Sequence, residues 1–451
     1  MSDLMTVVLA AGKGTRMKSD TNKVLHKIAG KEMVNHVIDT AKEISSEVVC
    51  IVGYQAEKVK NAVTSEVKFR LQSEQLGTGH AVMQAREEIK NHDGDVLILY
   101  ADIPLIKEET LVNMKSVHDD QSANLTIMTT LLKNPTGYGR IIKNEASEIV
   151  KIVEEDDASV EHKNINEINS GIMCIDSKSL NNALDDLDND NAQEEYYLTD
   201  VVDSIRNQNG KIISYKIDNK EEITGVNDRV NLSKAEKITR KRINHKHMIN
   251  GVTIIDPLNT YIDENVEIGV DTIIYPFTYI EGKSIIGSHN VIKPHNNIKN
   301  TIIGDNNNIK NSNVIKNSTI KNECNIGPFA HIRPGCIIAD GVKIGDYVEL
   351  KKADISEKTK VPHLAYVGDA EIGSQTNVGA GTIFANYDGK NKHKTIVGKS
   401  VFIGSNSTLV APLKIEDRGK TGAGAVVTKD INEDTTVIGV PAREYMKSKD
   451  D

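Results

Sequence analysis

Residues 9–17 read LAAGKGTRM and follow directly on the strand-like run MTVV. A glycine-rich turn leaving a strand gathers backbone N–H groups, and Lys13 and Arg16 add two cations, which suits a bound polyphosphate. Neither familiar phosphate loop fits. The GxxxxGK[ST] spacing is missing, and Gly12 and Gly14 lack the third glycine of GxGxxG. Taken alone, the stretch is equally an ordinary basic turn. Asp102, closing the run VLILYAD, divides in the same way. Its carboxylate suits a hard cation such as Mg²⁺, which takes one or two carboxylates plus phosphate oxygens and water. It also suits the N-cap of a helix over PLIKEETL.

The surrounding elements must bring such groups together. Up to residue 228, short apolar runs alternate with amphipathic stretches. MTVVLAAG, EVVCIVG, DVLILYADIPL, ANLTIMTTLL and EINSGIMCID predict buried strands, and NHVIDTAKEI and TGHAVMQAREEI carry apolar residues at helical spacing. This alternation predicts a largely parallel α/β sheet covered by helices. Its ligand is expected beyond the carboxyl ends of the strands, where AAGKGTR and ADIP both fall. Residues 229–250, polar and basic at helical periodicity, predict a connecting helix.

After Gly251 the period becomes six. Aliphatic residues recur at Ile262, Ile268, Ile274, Ile280, Ile286, Ile292 and Ile298. The count slips by one residue, resumes at Ile303, Ile309 and Ile315, and returns from Ile326 to Leu350 and from Val397 to Ile415. A helix would spiral such residues around its surface. Stacked coils of a parallel β-helix place them one above another. Two interruptions, KKADISEKTK and ANYDGKNKHKTI, predict loops projecting from this prism.

Composition narrows the class. The 451 residues carry a net charge of -9, 38% hydrophobic content, 4% aromatics and no Trp. Two or three domains are expected, a general nucleic-acid binder is not, and small aliphatics must do much of the packing. Cys50, Cys174, Cys324 and Cys336 lack CxxC spacing, so neither a zinc site nor a disulfide framework is indicated. The N-terminus reads as a strand and loop instead of a signal peptide, and no run of about 18 uncharged apolar residues occurs. A cytoplasmic protein without a membrane span is expected.

LAAGKGTRM with KVLHKIAGK is similar to the signature of sugar-nucleotide pyrophosphorylases, which EQLGTGHA and GYGRII narrow toward a uridylyl enzyme. HIRPG, ELKKADI, PHLAYVGDAEIG and NYDGKNKHKT resemble an acetyltransferase half. Over nearly its whole length the chain thus resembles the bacterial bifunctional N-acetylglucosamine-1-phosphate uridyltransferase/glucosamine-1-phosphate N-acetyltransferase family. The resemblance implies a Rossmann-like nucleotidyltransferase domain over 1–228, a linker helix over 229–250, and a left-handed parallel β-helix acetyltransferase domain with a C-terminal tail over 251–451. It implies acetyl transfer from acetyl-CoA to glucosamine-1-phosphate, then uridylyl transfer from UTP with release of pyrophosphate. Two positions depart from the pattern. Asn22 stands where the family usually shows Pro and Ala101 where Gly is common, and only loop rigidity is expected to change.

For uridylyl transfer, Arg16 and Lys23 are the candidates to hold the phosphates, with the amides of Ala11 and Gly12 around them and Leu9 and Ala10 also in the nucleotide site. The resemblance favours Asp102 as a Mg²⁺ ligand and adds Asn227 as the second. It implies that Gln72, Gly77 and Thr78 contact uracil, and that Gly139, Glu154 and Asn169 hold the sugar. For acetyl transfer, His363 is the candidate general base, because an imidazole titrates near working pH. Arg333 and Lys351 lie about one coil apart and can converge on one phosphate, with a solvated charge face as the rival reading. Tyr366, Asn377, Ala380, Asn386, Tyr387 and Lys392 are implied contacts to sugar and acyl donor. Ser405, Ala423 and Arg443 are implied along the coenzyme A track, with Arg443 standing in for a basic residue that Gly439 replaces. A single coil face cannot enclose a long cofactor, so a homotrimer is implied. The alternative is a monofunctional nucleotidyltransferase whose β-helix only oligomerises.

Overall fold

The computed structural model describes residues 3–445, and the end of the expected tail, 446–451, lies outside the described residues. The chain forms two compact units that divide between Thr239 and Arg240. The division falls inside the helix Arg229–Ile249.

In the first unit, strand Asp3–Ala10 is buried at every residue after the first. It lies between Glu47–Val52 and Gly94–Tyr100 and is parallel to both. Alternation decides the two faces: Met5, Val7 and Leu9 enter one core cluster, while Leu4, Val8 and Ala10 enter the other. Leu9 is in register with Tyr100 and Ala10 with Val52, so the carboxyl ends of the three strands line up. All five predicted strands form.

The sheet is mixed: its main path is largely parallel, as expected, but one strand on it is reversed. Glu167–Asp176 runs antiparallel to both Gly94–Tyr100 and Leu125–Leu131. It also carries an added hairpin, Arg140–Lys143 with Ile149–Val153. Apolar runs report burial on two faces and are silent on strand direction. The predicted helix TGHAVMQAREEI is two helices, Thr78–Met83 and Arg86–Asn91, because Ala85 leaves helical geometry at φ -94°, ψ 12°.

The second unit is a parallel β-helix with three columns of stacked aliphatics, the architecture of the expected left-handed coil. One column runs Ile262, Ile280, Ile298, Ile315, Ile332, Leu350. The second runs Ile268, Ile286, Ile303, Ile320, Ile338, Ile355, and the third Ile274, Ile292, Ile309, Ile326, Ile344, Val361. Nearly every one of these side chains is fully buried. Between columns the chain turns through left-handed residues. The ordinary sides turn at φ of 58° to 64° (Asp271, Phe277, His289, His295), and the shortened ones at 45° to 50° (Asn300, Asn317, Lys352, Asp369). Asparagines inside the corners stack as well: Asn313 Nδ2 donates to Asn296 Oδ1 at 2.9 Å, and Asn313 Oδ1 accepts from the Ala330 amide at 2.8 Å.

The first interruption is not a projecting loop. Strand Glu349–Ile355 carries the chain from Leu350 to Ile355, in register with the coils on either side, and Val361 follows in the third column. A further one-residue slip, like those at Ile303 and Ile320, had disguised a regular coil. The other interruption does leave the prism, between Ile383–Ala385 and Thr395–Val397. Its tip closes on Asp388, whose Oδ1 accepts from the amides of Lys390 and Asn391 at 2.8 and 2.6 Å. Those amides, with His393 at 2.7 Å, hold its carboxyl down to about 2.

Candidate active sites

Beyond the aligned strand ends of the first unit lies a cavity of about 220 Å³. Leu9, Ala10, Ala11 and Gly12 form one wall, Gln72, Gly77 and Thr78 another, and Lys23 and Asp102 stand at its charged end. Lys23 Nζ is 2.5 Å from Asp102 Oδ2 and 3.0 Å from Asn227 Oδ1. One cation therefore already bridges the two expected metal ligands. The Val226 amide donates to the Asp102 carbonyl at 2.8 Å, which seats Asn227 beside Asp102. Gly14 lets the turn pass over Lys23: its φ is +60°, and a Cβ there would stand 2.5 Å from Lys23 Cβ. Arg16 is exposed on the turn Thr15–Met17, outside the lining of this cavity.

The Asn22 departure has structural content. Its φ of -53° is one that proline shares, yet its amide donates to Gln55 Oε1 at 3.1 Å. Its side chain donates to the Tyr54 carbonyl at 2.6 Å and accepts from the Val24 amide at 3.1 Å, capping the turn that presents Lys23. A proline would lose all three. Ala101 is fully buried, with its amide bound to the Leu9 carbonyl at 3.0 Å.

At the other end of the cavity Gln72 is buried, and its Nε2 lies 3.0 Å from the Gly77 carbonyl and 3.1 Å from His80 Nδ1. Gly77 has φ +107°, and a Cβ there would meet the Tyr196 carbonyl at 2.5 Å. Thr78 Oγ1 accepts from the Leu198 amide at 3.0 Å. Gly139, Glu154 and Asn169 form a neighbouring group: the Asn169 amide donates to the Gly139 carbonyl at 2.9 Å, and Thr199 Oγ1 donates to Glu154 at 3.1 Å. Burial pushes the Glu154 carboxyl up, with Asp200, Asp157 and Asp156 adding to the effect. Burial likewise raises the Tyr100 phenol, with Glu154 contributing.

A larger cavity, about 680 Å³, opens on the far side of Glu154. Its walls include Asp157, Asp186, Asp188, Asp190, Asp200 and Asp203. So many carboxylates repel a polyphosphate, and the smaller cavity with Lys23 is the one suited to a nucleotide.

In the second unit, His363 Nδ1 is 2.6 Å from Asp346 Oδ1. The carboxylate accepts, so Nδ1 carries the proton and Nε2 is left as the basic atom. Arg333 pairs with Glu349 at 2.8 Å. The Lys351 ammonium beside Lys392 holds the Lys392 pKa below its usual value, and Asp369 and Tyr366 oppose it. Asn386 Nδ2 donates to Asp369 at 2.5 Å, and Tyr387 bridges to Lys392 across the projecting loop. Lys351, Tyr366, Asn386 and Lys392 are thus gathered in one cluster, from the prism face and the loop. Ala380, Ser405 and Ala423 follow one corner of successive coils: Asn406 N donates to Ala380 O at 2.7 Å, and Gly424 N to Ser405 O at 2.8 Å. Asn377 sits in register with Phe402 on another face, and Arg443 lies exposed in the terminal strand Arg443–Glu444.

Residues 6–155 match the family described as a MobA-like NTP transferase domain, and 314–418 match the GMPPB C-terminal domain. Over 452 residues the chain is 47% identical to the Bifunctional protein GlmU of Acetivibrio thermocellus, covering 100% of this chain and 97% of that one. The chain belongs to the bifunctional GlmU family. GlmU of Clostridioides difficile is 48% identical over 445 residues, 98% of this chain and 96% of its own. GlmU of Listeria monocytogenes is 47% identical over 439 residues, 97% and 96% of the two chains.

Against this GlmU frame, several residues in the sites escape a reading of motifs. Gln75, Tyr100 and Glu195 also line the cavity beside Lys23 and Asp102. Asp346 is the partner of His363, and its signal was present: it precedes His363 by one coil, and the two are in register. Asp95, His118 and Cys174 bring ligand atoms within 4.8 Å of one another. They form a core network and not the expected metal site. Lys115 Nζ already stands 3.0 Å from Asp95, His118 Nδ1 is 2.8 Å from Thr126 Oγ1, and burial drives the Cys174 thiol far up. Asp95 is the second residue of the strand Gly94–Tyr100 that Asp102 follows, which puts the two about 20 Å apart. The four cysteines are free and buried, and no helix among the described residues is long and apolar enough to cross a membrane.

Proposed function

We propose that the chain catalyses both transfers of UDP-N-acetylglucosamine synthesis, each in its own unit. Acetyl-CoA acetylates glucosamine-1-phosphate on the β-helix, and the product reacts with UTP at the open sheet. The observation that carries the reading is the presence of two unlike sites in one chain: Lys23 with Asp102 and Asn227 in one unit, and His363 with Asp346 in the other. Family membership supplies the pairing of activities.

At the sheet, a phosphate oxygen of the sugar phosphate attacks the α-phosphorus of UTP and pyrophosphate leaves. Such a reaction needs positioning and positive charge more than proton chemistry. Lys23, Arg16 and the amides of Ala11 and Gly12 hold the phosphates. Gln72, Gly77 and Thr78 hold the uracil ring, while Gly139, Glu154 and Asn169 hold the sugar. Asp102 and Asn227 fit Mg²⁺, since a carboxylate and an amide oxygen converge on one cationic atom, the Lys23 ammonium. When bound there, the ion neutralises charge on the phosphates.

On the β-helix, His363 Nε2 takes a proton from the substrate ammonium, and the freed amine attacks the thioester carbonyl. The C–N bond forms, the C–S bond breaks, and coenzyme A leaves as the thiol. Asp346 holds the ring and steadies the imidazolium. Lys351, Lys392 and Arg333 hold the sugar phosphate, with Tyr366, Asn377, Asn386 and Tyr387 around it. Ala380, Ser405, Ala423 and Arg443 form the coenzyme track. A homotrimer completes that track between neighbouring prisms, and the domains are read as 1–228, 229–250 and 251–451. The substrates are small molecules handled in the cytoplasm.

Product analysis with UTP, acetyl-CoA, glucosamine-1-phosphate and Mg²⁺ together, then with each omitted, tests the reading. His363→Ala is expected to abolish acetyl transfer and spare uridylyl transfer, and Asp102→Ala the reverse. Loss of both activities in either variant overturns separate sites.

A further inference from the structure

The Gln72 amide is held by two neighbours, and together they decide what it can offer a ligand. Its nitrogen lies 3.0 Å from the Gly77 carbonyl oxygen, an atom that only accepts. That contact identifies the amide end facing Gly77 as the NH₂, whichever way the side chain is drawn. The same nitrogen lies 3.1 Å from His80 Nδ1, so Nδ1 must accept and the imidazole must be neutral with its proton on Nε2. Both amide protons are then used. Gln72 Oε1 has no partner among the described residues, and Gln72 lines the cavity.

We propose that His80 is a positioning residue that locks the Gln72 amide so that only an acceptor faces the base, selecting a ring with N3–H over one with a bare N3. Uracil offers that N–H. Cytosine offers a lone pair at the same place and would meet Oε1 acceptor to acceptor, which a buried site does not tolerate. Gly77 alone would not hold the amide as firmly, because a side chain with one anchor can rotate off it. His80 is itself anchored. It sits in the helix Thr78–Met83, the neighbouring Gly79 amide donates to the Tyr196 carbonyl at 2.8 Å, and its ring packs against Tyr196 at 6.2 Å between centroids. The inference rests on reading Gln72 as the contact to the base.

The test compares kcat/KM for UTP and CTP in the full chain, by pyrophosphate release with N-acetylglucosamine-1-phosphate. The ratio of the two does not depend on how much of a variant is folded. Wild type is expected to favour UTP and Gln72→Ala to lose most of that preference. His80→Leu, which cannot accept, is expected to lower the UTP:CTP ratio at least about tenfold. His80→Asn, whose Oδ1 can stand near the Nδ1 position, is expected to restore it to within about threefold of wild type. If His80→Leu lowers both substrates equally, or leaves the ratio intact while Gln72→Ala collapses it, His80 has no positioning role. If Gln72→Ala also leaves the ratio intact, the reading of Gln72 as the base contact fails instead.

Discussion

His363 Nδ1 stands 2.6 Å from Asp346 Oδ1, across two coils whose backbones pair at those same residues. The stacking of the prism, and not a local loop, thus sets which way the imidazole faces. The pairing holds the Asp346 carboxyl below its usual range, so the contact persists as pH falls until that lowered pKa is crossed.

Asp346→Asn is expected to lower kcat for acetyl transfer by about 10²-fold, because an amide no longer enforces the tautomer with a basic Nε2. Uridylyl transfer is expected to stay at the wild-type rate. Thiol release from acetyl-CoA and pyrophosphate release, measured on one preparation, check both halves.

Lys23 occupies the place between Asp102 and Asn227 where a divalent ion would sit. Lys23→Met is expected to reduce uridylyl kcat by about 10²-fold or more, through loss of a phosphate contact. The same change is expected to tighten Mn²⁺ binding without nucleotide, since the ammonium no longer competes. Electron paramagnetic resonance titration reads the second effect, and unchanged or weaker Mn²⁺ binding would show that the two do not share a position.

The closeness of Lys351 and Lys392 makes phosphate affinity depend on pH. Lys392 has a folded pKa below its unfolded one, so the pair opposes folding while both are charged, and this opposition is relieved as pH rises through the lowered value. An anion between them is lost over the same range. KM for glucosamine-1-phosphate is expected to rise at a pH below the ordinary lysine value of roughly 10.4. In Lys351→Met the rise is expected to shift to higher pH, which initial-rate measurements across the range will read.

Asp200 is pushed up to about 6, chiefly by burial, with Lys151 opposing and Asp203, Asp188 and Asp157 adding. Its folded pKa exceeds the unfolded one, so the native state holds a proton that the unfolded chain releases. Stability therefore falls as pH rises from about 4 through about 6 and is level above. Asp200→Asn is expected to remove this component and raise Tm near neutral pH by about 2 °C, with solvent screening keeping the effect small. Calorimetry of both proteins across that range checks the sign, and a Tm difference independent of pH would refute it.

Burial and period were legible from the residues alone. Apolar runs located the five main strands, and a repeat of six located the three columns of the β-helix, because both are local patterns that a chain displays wherever it folds. One one-residue slip was legible, at Ile303, whereas those at Ile320 and Ile355 were not, the latter masked by the charged run KKADISEKTK. Candidate groups such as Lys23, Asp102 and His363 could be picked out by type and motif.

Only the tertiary structure decided how those groups meet. Glu167–Asp176 enters the sheet antiparallel, Asn227 reaches Lys23 from the far end of the first unit, and Asp346 pairs with His363 through the stacking of coils. Gln72 is read through His80 in the same way. Each of these depends on closing a long stretch of chain and on the direction and register of the elements at its ends. No local pattern of residues encodes that information, because the free energy that selects one closure over another resides in packing between distant segments.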